Sequence, residues 1–303
     1  MSITSYINKL YNEYHEKLHK NSNSICMYPE CKNNCINSHI ISKSKLKNIS
    51  KKDHVIWFET NKLKGINNVF TYPIFCSEHD NNIFQSIDNN DYSIDNKQLQ
   101  LQQNFLFFYR NYAGKYYRAK QKQKFICNNK QMTDGQNVLI LSNAQNYEIY
   151  DKNLLNDTFF STLTNNLLKK EYNAIESYVI TFNKNYPICV GDFFDFDYNF
   201  QGEYIGLLNG ISLTVFPQSN QTIAIISWNC CDSNNYRFIA DNFNLLDKTT
   251  KKILLSMLIL NGCQNIALSP DYWNTKFTNN EKQKLINLNK ELNIDKPINL
   301  FRD

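Results

Sequence analysis

The stretch FCSEHD, Phe75–Asp80, places a thiol, an imidazole and a carboxylate within a few residues of one another. All five histidines of the 303-residue chain precede position 80, and four of its nine cysteines do so as well. A second short motif, CMYPEC, carries Cys26 and Cys31 on a turn predicted from Pro29. This clustering indicates that the metal or catalytic chemistry lies near the beginning of the chain.

The two motifs supply two close pairs of metal ligands, Cys26 with Cys31 and Cys76 with His79. Structural zinc takes four thiolate or imidazole ligands in a tetrahedral arrangement, and one turn can present two of them. The spacing therefore predicts a Cys3His site for structural Zn²⁺. Two alternatives stay open: Cys35 replaces Cys31 as a ligand, or the cysteines are buried thiols without a metal.

The segment between the two pairs, NSHIIS, carries His39 on a predicted strand, and Asp80 directly follows the last zinc ligand. This arrangement resembles the zinc-bearing HNH endonucleases, also called ββα-metal or His-Me finger nucleases, and a group of bacterial HNH-like proteins. The resemblance covers roughly residues 24–90. It matches Ser38 and His39 to the Asp-His pair of the family. It matches Cys76 to Asp80 to the end of the motif, where a helix begins.

The resemblance implies a metal-dependent endonuclease that hydrolyses phosphodiester bonds in double-stranded DNA, in a bacterial defence or toxin system. His39 would take a proton from the attacking water, and Asp80 would hold a catalytic Mg²⁺ or Mn²⁺ ion. Ser38 stands where the family has a metal-binding Asp or His, and a hydroxyl is a weak ligand. A non-catalytic, zinc-stabilised nucleic-acid-binding protein is therefore the alternative function.

Three further residues are candidates for supporting roles in such a site. Asp88 lies on the same predicted helix as Asp80, rotated obliquely from its face, and is a candidate to complete the metal site. His54 and Asn48 are both candidates to orient the imidazole of His39. The sequence does not choose between these two.

Positive charge is concentrated in the first part of the chain. Residues 1–65 carry 11 Lys or Arg against 5 Asp or Glu, and residues 98–130 carry 7 Lys or Arg and no acid. Such a surplus suits a phosphate backbone, although a solvated lysine-rich surface explains it equally well. A long helix is predicted over 97–127, and we expect its basic residues to hold the DNA backbone.

The predicted fold class is α+β, in three parts. Residues 1–95 form a zinc-stabilised HNH-like unit, residues 96–130 a basic helical connector, and residues 131–303 an α+β domain on an antiparallel sheet. The C-terminal part has no catalytic motif, so a sensing, regulatory or oligomerising role is expected, through a second copy or a partner protein.

Four strand patterns follow one another in the C-terminal part, with helices predicted over 151–170, 248–261 and 279–292. The strand patterns are ESYVITF, ICVGDFFDF, GISLTVF and TIAIISW. The acidic cluster GDFFDFD is interpreted as a strand edge and polar turn. Cys230 and Cys231 are interpreted as buried strand-end residues.

Membrane and export signals are not found in the sequence. No run reaches the roughly 18 apolar residues of a membrane span, and residues 1–20 have an amphipathic helix pattern without an apolar signal-peptide core. These patterns predict a soluble cytoplasmic protein with no membrane partner. In that compartment cysteines serve as thiols or metal ligands more often than as disulfides.

Overall fold

The structure is a computed structural model that describes residues 24–58, 62–128, 157–195, 198–206, 209–288 and 298–303. The helix predicted over 1–20 lies outside these residues. The described parts form eight α-helices and nine strands. The helices are α1 (Lys43–Lys47), α2 (Ser77–Asp88), α3 (Lys97–Asn128), α4 (Asp157–Lys169), α5 (Ser233–Leu245), α6 (Lys248–Gly262), α7 (Pro270–Lys276) and α8 (Asn279–Leu288). The strands are β1 (Asn37–His39), β2 (His54–Trp57), β3 (Lys62–Gly65), β4 (Thr71–Pro73), β5 (Ile175–Phe182), β6 (Ile188–Phe194), β7 (Ile211–Gln218), β8 (Gln221–Asn229) and β9 (Ile266–Leu268).

Seven of the strands form one antiparallel sheet in the order β3-β2-β9-β6-β7-β8-β5. Strands β6, β7 and β8 are buried along nearly their whole length, which explains why apolar residues make up most of their sequences. The predicted fold class is confirmed at this level, since the protein is α+β with antiparallel sheets. All four predicted strand patterns of the C-terminal part form strands of this sheet.

The N-terminal hairpin β2–β3 belongs to the same sheet as the C-terminal strands. Its strand β2 pairs with β9, where Ile56 lies opposite Leu268 and Trp57 opposite Ala267. The predicted units 1–95 and 131–303 therefore contribute strands to the same sheet. The short strand β9 has few residues, and its pairing partners are far away in sequence, so periodicity could not reveal this connection.

Helix α3 passes through the interior instead of lying on the surface as a connector. It begins at Lys97, and the side chain of the preceding Asn96 accepts a hydrogen bond from the N–H of Leu99 at 3.1 Å. Its basic residues Arg110 and Arg118 are buried, and Asn111 donates hydrogen bonds to two hydroxyls of β7. The predicted basic helix thus exists, but two of its cations face the core.

A second, two-stranded sheet pairs β1 with β4 and leads directly into α2. His39 lies opposite Thr71 and Ser38 opposite Tyr72. The residue after His39, Ile40, packs on α3 at Gly114, where a β-carbon would lie 2.6 Å from the Ile40 Cδ1 atom. The missing side chain at Gly114 therefore lets α3 approach the end of β1 closely. Within the described residues, none of the helices has both the length and the apolar character that a bilayer span requires.

Candidate metal centre and its neighbours

The first pair of predicted zinc ligands lies on a tight turn. The N–H of Cys31 donates to the Tyr28 carbonyl at 3.2 Å, with Pro29 and Glu30 in the middle of the turn. Glu30 has a φ of 61°, and proline followed by a residue with positive φ is typical of a type II turn. The turn is anchored to the residue that follows β4, because the N–H of Met27 donates to the Ile74 carbonyl at 3.0 Å. This confirms the turn predicted at Pro29.

The second pair lies at the N-terminus of α2. Cys76 is the residue that precedes the helix, and His79 lies in its first turn, three positions later and so on the same side. The Cys76 N–H donates to the Cys26 sulfur at 3.2 Å, which ties the two pairs together. The ring of Tyr28 stacks on the His79 imidazole at 3.8 Å between centroids. Both ring and sulfur contacts fix the orientation of the ligands.

The four predicted ligand atoms come together in space. The Sγ and Nδ1 atoms of Cys26, Cys31, Cys76 and His79 all lie within 4.8 Å of one another. Individual distances are 3.9 Å from Cys31 Sγ to Cys76 Sγ and 3.6 Å from Cys26 Sγ to His79 Nδ1. Tetrahedral zinc with bonds of about 2.3 Å to sulfur and about 2.0 Å to nitrogen requires separations of about 3.5–3.8 Å. This Cys3His cluster could therefore hold a metal ion such as zinc.

Protonation of the cluster is coupled to metal binding. Burial raises the pKa of Cys26 to about 11, so that without a metal its thiol holds a proton at neutral pH. Binding of a cation requires thiolates and releases these protons. Cys35 is buried nearby but does not belong to the four-atom group, and burial together with the three neighbouring thiols raises its pKa to about 12. Geometry thus favours Cys31 over Cys35 as the fourth ligand.

His39 is oriented by a backbone carbonyl. Its Nε2 atom lies 2.9 Å from the carbonyl oxygen of Ile66, in the 3-10 turn after β3. Because a carbonyl only accepts, Nε2 carries the proton and Nδ1 of the neutral ring carries the lone pair. Burial lowers the pKa of His39, and the hydrogen bond to Ile66 opposes this only in part. The ring is therefore neutral at pH 7 and can accept a proton at Nδ1.

The two candidates that the sequence offered for orienting His39 have other partners in this structure. The Nδ1 atom of His54 lies 2.7 Å from the Lys52 carbonyl, and Asn48 caps the end of α1 through its backbone. Ile66, an apolar residue acting through its backbone, gives no signal in a sequence. Only the tertiary fold brings its carbonyl to His39.

Asp80 lies one residue beyond the zinc cluster and meets a buried arginine. Arg110 of α3 donates two hydrogen bonds to Asp88, at 2.6 and 2.8 Å, and approaches Asp80 Oδ1 at 3.4 Å. The Arg110 side chain is 2% exposed and also stacks on the Phe84 ring, with its guanidinium carbon 4.0 Å from the centroid. Asp88 thus takes the arginine in a two-pronged ion pair, while Asp80 is held more weakly.

The charged side chains of this cluster influence the pKa of His39. Beyond the effects of burial and of Ile66, the charge of Arg110 lowers the pKa of His39, and the charges of Asp80 and Asp88 raise it. Arg110 is the residue beside Asp80 that sequence reasoning missed. It was counted among the basic residues of a surface helix, although an arginine within the apolar run NFLFFYRNYAG is a signal of burial.

Ser38 is placed differently from His39. Successive residues of a strand project to opposite faces, so the Ser38 side chain leaves β1 on the face away from His39. Its hydroxyl is buried and has no hydrogen-bond partner among the described residues. This placement gives no support to the predicted role of Ser38 beside the catalytic metal.

Comparisons with protein-family models, with curated proteins and with solved structures found no significant match to this chain. The function must therefore be inferred from the site itself. Nothing in these comparisons identifies the HNH family, and the resemblance noted in the sequence stays a prediction.

Two interpretations of the C-terminal part need correction. Cys230 and Cys231 are exposed rather than buried, because they lie in a 3-10 turn after β8. Asp192 of the acidic cluster lies in a central strand and not at a sheet edge. It is buried, pairs with Arg118 of α3, and accepts hydrogen bonds from the N–H groups of Gln264 and Asn265. These partners outweigh burial and keep the pKa of Asp192 below its usual value. Asp192 therefore serves the structure, by fixing α3 to the sheet.

Proposed function

We propose that this protein is a metal-dependent endonuclease of the HNH type that hydrolyses phosphodiester bonds in DNA. The observation that carries the proposal is the arrangement of His39 and Asp80. A neutral, oriented imidazole on β1 lies within the electrostatic influence of a carboxylate on the first turn of α2. The Cys3His cluster holds the N-terminus of that helix, and β4 pairs β1 immediately before it.

His39 acts as the general base in this proposal. Its Nδ1 lone pair accepts a proton from the attacking water, while the Ile66 carbonyl keeps the Nε2 proton in place. A Mg²⁺ or Mn²⁺ ion held by Asp80 would supply charge stabilisation for the scissile phosphate and the leaving oxygen. The carboxylate of Asp80 is a suitable hard ligand, and its contact to Arg110 is the longer of that arginine's two ion pairs.

A second candidate function is a zinc-stabilised nucleic-acid-binding protein without catalysis. The observation that favours it is Arg110, since this cation already compensates Asp88 and approaches Asp80. A buried guanidinium beside the carboxylates opposes the binding of a divalent cation by charge repulsion. Ser38 adds no further ligand on the side of His39.

The two functions are separated by a plasmid-nicking assay with Mg²⁺ or Mn²⁺ on zinc-loaded protein. We expect the wild type to nick DNA and His39→Ala and Asp80→Asn to lose at least about 100-fold of the rate, with zinc content unchanged. His54→Ala is the matched control, because this exposed histidine bonds only locally, and it should retain the rate. Binding without nicking by the wild type would instead support the non-catalytic protein.

The pH profile gives an independent readout of His39. Because burial lowers its pKa below 6.5, the base stays neutral until the pH falls through that lowered value. The acid limb of log kcat is therefore expected below pH 6.5. A limb centred well above pH 7 would contradict the assignment of His39 as the base. A role in bacterial defence, and a regulatory or oligomerising role for the C-terminal part, remain proposals by analogy with the family.

A further inference from the structure

Exposed positive charge is located on α1, in the turn before β2 and on β3, as well as at Lys97 and Lys124 near the two ends of α3. Lys43 and Lys47 are exposed on α1, Lys52 is exposed in the turn before β2, and Lys62 is exposed on β3. Lys64, also on β3, is partly exposed. By contrast, Arg110 and Arg118 of α3 are buried in ion pairs with aspartates. Two other lysines of the α1–β3 region are engaged, since Lys45 is buried and Lys51 pairs with Asp271 at 2.5 Å.

These five lysines lie on α1, on β3 and in the turn before β2, all of which adjoin the 3-10 turn whose Ile66 carbonyl contacts His39. Residues directly opposite each other in an antiparallel pair project to the same face, so Lys62 shares a face with Trp57, and Lys64 with Val55. That face packs on the same core as Ile40 and Ile41, which directly follow His39. Helix α1 in turn packs against the 3-10 turn Ile66–Asn68 at the end of the hairpin.

Two hydrogen bonds connect the Lys52–Asp53 turn, which precedes β2, to His39. The Ile66 N–H donates to the Asp53 carbonyl at 2.9 Å, and the Ile66 carbonyl accepts from His39 Nε2. The turn itself is strained, since Lys52 and Asp53 both adopt left-handed φ values, of 50° and 58°. Non-glycine residues are costly in this conformation and often mark functional sites. The turn holds Lys52 exposed to solvent, and its neighbour Asp53 is linked to His39 through Ile66.

We propose that Lys43, Lys47, Lys52, Lys62 and Lys64 form the surface that binds the nucleic-acid backbone beside His39. The partner is a phosphate backbone, because point charges on flexible stems suit phosphate contacts and carry little base information. Asp53 is an exposed carboxylate beside Lys52 in this surface. This surface extends the proposed nuclease function, because it would place the substrate next to His39. Only the identity of the cleaved bond rests on that proposed function.

The test measures binding by the full-length chain in the His39→Ala background, which prevents cleavage. Affinity for a short fluorescent DNA duplex is followed against salt for Lys62→Gln with Lys64→Gln, and for Lys43→Gln with Lys47→Gln. We expect the slope of log K against log salt to fall by about 0.9 for each lost contact, and affinity at fixed salt to fall about tenfold for each pair. The control pair is Lys169→Gln with Lys284→Gln, exposed lysines of α4 and α8, which should leave both values unchanged.

The outcomes separate this surface from the proposed catalysis. Loss of binding in the two lysine pairs, in a protein whose wild type does not nick DNA, supports the surface and rejects the nuclease. Nicking by the wild type with normal DNA binding in both lysine pairs overturns the surface and leaves the nuclease. Binding to phosphatidylserine vesicles without binding to DNA, or an equal effect of the control pair, also overturns it.

Discussion

His79 and Asp80 are neighbours on α2, but they belong to two regions that differ in the source of their positive charge. His79 joins three cysteines whose spacing fits a metal ion. Asp80 and Asp88 face the guanidinium of Arg110, which lies on α3, 30 positions after Asp80. The first region could hold an external cation, whereas the second has a cation from its own chain.

The difference shows what kind of region can be inferred from sequence spacing. Metal ligands that come in close pairs are constrained by short turns, so the cluster of Cys26, Cys31, Cys76 and His79 follows from the motifs alone. An ion pair between α2 and α3 depends on how two helices pack, and no local pattern encodes it. The next experiments test whether the two regions really differ in their need for a metal.

The largest effect is expected from Cys76→Ser, which removes a ligand at the junction of both pairs. Structural zinc contributes folding free energy directly, with about 10–16 kcal/mol as the range for zinc-finger peptides. Because α2 also packs on a large aromatic core around Phe75 and Phe84, we expect a smaller loss here, on the order of 4 kcal/mol. The measurement is zinc content by elemental analysis together with urea unfolding.

Matched controls make this result specific to the cluster. Cys230→Ser removes an exposed thiol and should change the free energy of unfolding by less than about 0.5 kcal/mol. Cys35→Ser should retain zinc whereas Cys31→Ser should lose it, because Cys35 lies outside the four-atom group. Full zinc retention by Cys31→Ser would show that the predicted ligand set is wrong.

The second effect concerns the internal cation, and Arg110→Met tests it. Removing one partner of a buried ion pair leaves an uncompensated charge and costs about 3–5 kcal/mol. Asp88 is about a quarter exposed, so we expect the lower end of this range. In the variant, Mg²⁺ should raise the unfolding temperature, because the freed carboxylates can bind it, whereas the wild type should respond less.

The double variant Arg110→Met with Asp88→Asn serves as the control for charge. It removes both members of the closer ion pair, and we expect it to recover at least half of the lost stability. A cost below about 1 kcal/mol for Arg110→Met alone would mean that the ion pair does not stabilise the fold. The carboxylates would then be free for a metal, as the sequence resemblance implied.

The extent of the sequence-based prediction can be seen from particular residues. The strands of the C-terminal sheet and the long helix were predictable, because their apolar runs and periodicity are local. The pairing of β2 with β9 was not, since three residues, Ile266–Leu268, are too short for a pattern. In the site, the zinc ligands were predictable, but the partner of His39 was a backbone carbonyl and the partner of Asp80 an arginine of an apparently exposed helix.

The smallest effect is expected at the Lys52–Asp53 turn, which connects to the second region through Ile66 and His39. Lys51 and His54 exchange backbone hydrogen bonds at 2.9 and 3.0 Å, so Lys52 and Asp53 form a two-residue hairpin loop with both φ values positive. Such type I′ turns favour Asn-Gly. The double change Lys52→Asn with Asp53→Gly should therefore stabilise the protein by about 1 kcal/mol, seen as a higher urea midpoint with an unchanged m-value.

The same double change also tests whether the strained turn contributes to DNA binding. If the turn holds Lys52 beside His39 for a phosphate, the stabilised variant should bind DNA more weakly, because one contact is lost. The single change Asp53→Gly is the control, since it relieves part of the strain and keeps Lys52. Stabilisation by the double change with full DNA affinity would mean that the strained turn positions nothing for the substrate. The site would then depend on His39, Asp80 and Arg110 alone.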